Sequence, residues 1–134
     1  MRALGTVPLF AGVEERVLRL IALTSEDRTL PAGSTVVCAG EQGDELFVVL
    51  EGAARAEVRG REVRRFGPGD VFGELAVLDG RPRAADVVAE SDLRCVVVPR
   101  GRLRKVLISH PNTAWALLET LATRLRDDRR GETP

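Results

Sequence analysis

"FGELAVLDGRPRAADV" occupies residues 72–87. Within it an acid, Glu74, and a base, Arg83, are separated by Gly80 and Pro82, while the rest is largely Ala, Val and Leu. A surface loop has no need of so much apolar side chain, and a core segment keeps two charges only if something pairs with them. "GELAVLD" is too short for an ordinary helix but suits one or two turns ended by Gly80. A short helix after Gly73 presents free backbone N–H groups and the positive end of its dipole to an anion. Arg83 can add a guanidinium matched to two phosphate oxygens. Ala84 and Ala85 are small enough to let backbone amides approach a ligand, and Glu74, acceptor-only when ionised, can bind a vicinal hydroxyl. That set describes a phosphorylated sugar. The alternative is a Glu74–Arg83 ion pair that closes a loop without any ligand.

On either side of this stretch the chain reads as short strands. "STVVCA", "ELFVVLE", "AARAEV", "EVRRF", "RAADVVAE" and "LRCVVVP" are rich in Val, Phe and Leu, punctuated by Gly40, Gly43, Gly52, Gly60 and the "GPGD" of 67–70. Strands at such close turn spacing predict a sandwich, roll or barrel. Helical period frames them. "VPLFAGVEERVLRLIALT" places Val13, Val17, Leu20, Ile21 and Leu23 against Glu14, Glu15, Arg16 and Arg19. After Pro99, "GRLRKVLISH" aligns Leu103, Val106 and Leu107, and Pro111 opens a last helix with Ala114, Leu118, Leu121 and Leu125 in one stripe.

The composition bounds the function. With 134 residues there is room for one core. Lys+Arg and Asp+Glu are 20 each, so no global field draws nucleic acid. There is one histidine, His110, and no tyrosine, which removes a two-histidine metal site and leaves few general acids or bases; an enzyme is not expected. A metal cupin on a similar roll fails for the same lack of histidine. Cys38 and Cys95 lie in strand-like runs and read as buried free thiols. No apolar run reaches membrane-spanning length, and the chain reads as cytoplasmic.

Taken in order, Phe72, Gly73, Glu74, Leu75, Ala76, then Pro82, Arg83, Ala84 and Ala85 resemble the phosphate-binding cassette of the cyclic nucleotide-binding domain family. That family is found in protein kinase A regulatory subunits, catabolite activator-type transcription factors and cyclic-nucleotide-gated channels. "GEQGDELFVVLEG" at 40–52 is similar to a second family element, and "PLFAG" at 8–12 and "LPAGSTV" at 30–36 also look like it. The resemblance implies a mainly β fold with flanking helices: an eight-stranded, jelly-roll-like β-roll over about 30–99, an N-terminal helix, and two C-terminal helices over about 100–130. The whole of 1–134 would be a single domain. It implies that Glu74 takes the ribose 2′-OH and Arg83 the cyclic phosphate, with amides near Gly73, Ala76 and Ala84 completing the anion site. Leu75 and Ala85 belong to the same ligand-binding set. Gly43 and Asp44 fall in the adjoining turn and read as turn chemistry alone. Asp127, Asp128 or Arg129, near the end of the last helix, are expected to reach the base.

The expected ligand is cyclic AMP, with cyclic GMP as the alternative, because Ala84 stands where cyclic-GMP-selective relatives tend to carry a hydroxyl. No cofactor or metal is implied. Asp86 departs from the pattern, which often has Thr or Ser there; strand alternation from Arg83 turns it to the opposite, exposed face. Only "DDRRGETP" follows the long helix, too little for a recognition helix, so direct DNA binding is not expected. The chain is then a sensor acting through an effector partner, or the sensor part of a longer protein such as a transcription factor. A ligand-free dimerising module of the same fold is the competing reading. Leu118, Leu121 and their stripe recur at coiled-coil spacing, so a homodimer through the helix from about Asn112 to Arg130 is expected.

Overall fold

The computed structural model describes residue 4 and residues 7–132, with side chains through residue 127. The chain runs through a 3-10 turn (Pro8–Phe10), helix α1 (Glu15–Leu23), strands β1 (Glu26–Leu30), β2 (Thr35–Val37), β3 (Glu45–Glu51), β4 (Ala54–Val58), β5 (Arg61–Phe66) and β6 (Val71–Phe72). The short helix α2 (Glu74–Asp79), strands β7 (Asp86–Ala89) and β8 (Leu93–Pro99), and helices α3 (Arg100–Ser109) and α4 (Pro111–Glu132) follow. Eight strands form two antiparallel four-stranded sheets, ordered β1-β8-β3-β6 and β2-β7-β4-β5. This is the expected β-roll with one N-terminal and two C-terminal helices.

The apolar run of β3 follows from its place between two cores. Leu46 and Val48 face the helices, joined by Val96 and Val98 of β8 and by Leu9, Phe10, Val17, Ile21, Leu103 and Leu117. Phe47 and Val49 face the second sheet, where Ala54, Ala56, Phe66, Val87 and Ala89 meet them. A strand buried on both faces needs apolar residues at every position. Phe47 and Phe72 stack with centroids 4.8 Å apart, and Phe66 tilts onto Phe72 at 5.2 Å.

Several details differ from the sequence reading. The roll starts at Glu26, because β1 pairs with β8 along its whole length although its side chains are mostly exposed. In α1 it is Val17, Leu18 and Ile21 that are buried, while Leu20 and Leu23 project into solvent. Cys95 is buried, its thiol pushed up to about 11 by desolvation, but Cys38 is only half-buried because it follows the edge strand β2. No helix among the described residues is long and apolar enough to cross a membrane.

Candidate functional site

The stretch 72–87 closes one end of the roll. Gly73 is the N-cap of α2 at φ 83° and Gly80 its C-cap at φ 71°, both left-handed, so the six-residue helix is turned in and out by glycines. Its first intrahelical bond runs from Val77 N to Gly73 O at 3.3 Å, which leaves the N–H groups of Glu74, Leu75 and Ala76 without an intrahelical acceptor. The return segment is pinned to the loop at 40–42. Arg83 N donates to Glu41 O and Gly40 N donates to Arg83 O, each at 2.8 Å, and Gln42 Nε2 reaches Gly80 O at 3.1 Å.

Arg83 is buried, at 8% exposure, an unusual position for an arginine. It does not pair with Glu74. Its Nη2 donates to Glu45 O at 2.7 Å and its Nη1 to Gly73 O at 3.2 Å, and its guanidinium lies 6.0 Å from the Phe47 ring centroid. Burial lowers its pKa from the ordinary value, against the pull of Glu45, Asp44 and Glu74. Two carbonyls therefore aim the head group, and the remainder of its five N–H donors stay available. The Glu45 carboxylate is engaged elsewhere, bidentate on Arg28 at 2.9 and 3.0 Å.

Glu74 completes the arrangement. Its Oε2 is buried with no hydrogen-bond partner, and burial raises its pKa despite the offsetting charges of Arg124 and Arg64. An orphaned buried acceptor is expensive and asks for a donor. It borders a cavity of about 250 Å³ lined by Gly73, Glu74, Leu75, Ala76, Arg83, Ala84 and Ala85 together with the inter-sheet apolar residues Val37, Ala56, Phe66, Phe72 and Val87. Every cassette residue singled out in the sequence is thus brought to one cavity. The wall offers a hydroxyl acceptor, a guanidinium, free amides and an apolar floor, which together match a sugar phosphate carrying an aromatic base.

Glu74 and Leu75 also border a second cavity, of about 800 Å³, whose other walls are Arg64 of β5 and Leu121, Arg124 and Leu125 of α4. Asp127 does not line this space, and the side chains of Asp128 and Arg129 lie outside the described ones. Leu121, Arg124 and Leu125 are the residues that α4 contributes, and buried Thr113 and Leu117 hold that helix on the roll. Gly43 was also underrated: a Cβ there would collide with Ala76 Cβ and stand 2.9 Å from Arg83 Nε. The glycine is required for α2 and Arg83 to meet. Asp86 is half-buried rather than exposed, since Ala39 N donates to its Oδ1 at 2.7 Å, and it lines neither cavity.

The junction to the C-terminal helices begins at the same place. Arg100, the first residue of α3, donates from Nε to Val77 O of α2 at 2.7 Å and from its backbone N to Asp44 O, also at 2.7 Å. One carbonyl at the end of α2 is therefore satisfied by the residue that starts α3.

Comparison with known proteins gives a consistent result. Residues 27–110 match the family model described as cyclic nucleotide-binding domain. A CRP-like cAMP-activated global transcriptional regulator of Mycobacterium tuberculosis is 31% identical over 128 residues, covering 92% of this chain and 57% of its own length. The chain thus spans little more than half the length of that relative. Among solved structures, the N-terminal domain of a transcriptional regulator from Streptomyces coelicolor is similar over 98% of this chain and 96% of its own, at 31% identity and TM-score 0.82. The regulatory domain of Toxoplasma gondii PKA, solved with cAMP, is similar over 78% of this chain and 42% of its own, at 30% identity and TM-score 0.73.

Proposed function

We propose, because the chain belongs to the cyclic nucleotide-binding domain family, that its cassette cavity binds cyclic AMP and that binding is signalled through α3 and α4. The observation that carries the reading is that Glu74, whose buried Oε2 has no hydrogen-bond partner, lines the same cavity as the carbonyl-anchored Arg83. The ribose 2′-OH donates to Glu74. The cyclic phosphate sits between the free α2 amides and the guanidinium of Arg83. The base extends towards Arg124, whose guanidinium can stack on a purine face. A similar protein that is named as cAMP-activated, and another solved with cAMP, support the choice of ligand.

Calorimetric titration with cyclic AMP tests this directly, with 5′-AMP and cyclic GMP as controls. Absence of cyclic AMP binding at millimolar nucleotide would sink the reading. The dependence on pH adds a second check. Burial holds the Glu74 pKa above its ordinary 4.5, so the folded chain binds this proton more tightly than the unfolded one. That acid contributes stability at pH below the ordinary value, and the contribution is lost as pH climbs through the raised one. A ribose hydroxyl is held more strongly by the carboxylate than by the neutral acid. Affinity should fall as pH drops from neutral towards the acid range, and Glu74→Gln should bind more weakly at neutral pH with a flatter pH profile.

The same chain is proposed to pair with a second copy through α4. Leu118 and Leu125 are more than half exposed, at 57% and 55%, and Trp115 beside them at 65%. Leu121, expected at the seam, is instead partly buried against the core and borders the larger cavity. Trp115 belongs to the outer face, not to the one that covers the roll. The seam therefore rests on Leu118 and Leu125. Leu118→Glu should convert dimer to monomer in analytical ultracentrifugation and lower the thermal midpoint only by what pairing contributes, since the side chain is exposed in the single chain. Wild-type protein that sediments as monomer at tens of micromolar would refute the pairing.

A further inference from the structure

A groove of about 370 Å³ separates α2 from α3, away from the cassette cavity. Its lining is Val77 and Leu78 of α2, Arg100, Leu103, Arg104, Leu107 and Ile108 of α3, and Ala114 of α4. Leu78 and Ile108 rank among the exposed large apolar side chains of the described residues, at 38% and 64%. Residues 100, 103, 104, 107 and 108 follow the helical spacing of one face, so the groove has a continuous α3 wall.

Its charge is one-sided. Two arginines and no carboxylate line it. All of α3 carries Arg100, Arg102, Arg104 and Lys105 without an acidic residue, and none of the four enters an ion pair among the described residues. Three of these cations fall in the first five residues of the helix, where the macrodipole is already positive and acids are favoured instead. Arg100 is accounted for by its bond to Val77 O, but helix stability does not explain Arg102 and Arg104. An anionic neighbour would.

We infer that this groove docks an acidic amphipathic helix of an effector protein. The apolar floor takes a stripe of three or four aliphatic anchors, and the carboxylates that flank the stripe meet Arg104 and the basic end of α3. The walls are helices, with no free strand edge, which selects a helix-in-groove mode over strand addition. An apolar floor is of no use to a nucleic-acid backbone, which would need cations across its whole width. The groove also shares α2 with the cassette cavity. A nucleotide that shifts α2 therefore shifts Val77 and Leu78, and this coupling, unlike the docking itself, rests on the function proposed above.

Two fluorescently labelled 16-residue helical peptides with the same leucine stripe, one with Glu on its polar face and one with Lys, provide the probe. Fluorescence anisotropy should show the Glu peptide binding at least tenfold more tightly than the Lys peptide. Arg104→Glu and Ile108→Asp, both at exposed positions, should each weaken the Glu peptide at least fivefold, and Arg104→Glu should narrow the gap between the peptides. Equal binding of the two peptides, no binding of either, or indifference to both variants overturns the proposal. Displacement of the Glu peptide by a short DNA duplex would also overturn it, as would self-association abolished by Ile108→Asp, which would make a second copy the occupant. Saturating cyclic AMP, with its binding verified by calorimetry, should change the affinity for the Glu peptide. Docking that persists where calorimetry detects no nucleotide would reject the cyclic AMP reading alone, and docking unchanged by bound nucleotide would reject the coupling.

Discussion

Replacing Arg83 by Ala should weaken cyclic AMP binding by about 2–4 kcal/mol, roughly 30- to 1000-fold, the range for removing one partner of a buried charged contact. The loss has two sources. One is the direct contact to the phosphate, which no other cation of the smaller cavity is held by carbonyls to make. The other is local order: without the guanidinium, Glu45 O and Gly73 O both lose a donor, and Gly73 is the N-cap of the helix whose amides are proposed to complete the anion site. Fold stability should fall too, on the order of 1–3 kcal/mol, for carbonyls left unsatisfied in a buried setting. Arg83→Lys separates the two. A lysine keeps the charge but cannot span both carbonyls with a planar fork, so it should recover more stability than affinity. Calorimetry alongside urea unfolding reads both quantities. Wild-type affinity in Arg83→Ala would remove Arg83 from the site.

Gly43→Ala is expected to be nearly as damaging although it deletes nothing. The added methyl would meet Ala76 Cβ and come within 2.9 Å of Arg83 Nε and 3.0 Å of its Cζ, and Ala76 belongs to a backbone turn that cannot simply swing aside. Overpacking of this kind costs about 1–3 kcal/mol of stability. The relief available is to push α2 outwards, which separates its amides from Arg83, so binding should drop by about tenfold or more. Gly101→Ala is the natural comparison. That glycine lies in α3 with nothing near its missing side chain, and alanine there should be stabilising by about 0.5–1 kcal/mol through helix propensity. If both substitutions behaved alike, the close approach at Gly43 would have no role.

The contrast between those two glycines marks how far the sequence could be read. The cassette was legible because its chemistry is local: Gly73, Glu74, Arg83 and Ala84 all lie within a dozen residues, and each type has a distinct reason to be there. Strand β3 was legible from its unbroken apolar run. Strand β1 was not, since "EDRTL" lacks alternation and owes its conformation to the β8 edge it pairs with. Strand β6 has two residues, too few for any period. The carbonyls that hold Arg83 were not legible, for a different reason. A carboxylate is visible in a sequence, whereas a backbone carbonyl such as that of Glu45 belongs to every residue and is selected only by the fold. Likewise the entry of Arg124 into the larger cavity depends on how α4 is rotated on the roll, to which buried Thr113 and Leu117 hold it.

The bond from Arg100 to Val77 has a mechanical side. It fastens the base of the C-terminal arm to the last turn of the cassette helix, while α4 extends for 22 residues beyond, about 33 Å at 1.5 Å per residue. A lever of that length magnifies whatever happens at its fulcrum. A tilt of about 5° at the base carries the far tip through about 3 Å, by the same helix geometry. Three ångströms is more than half the rise of one helical turn. Leu125, about 21 Å along the helix, moves about 2 Å with it, while Trp115, close to the pivot, travels only about 0.5 Å.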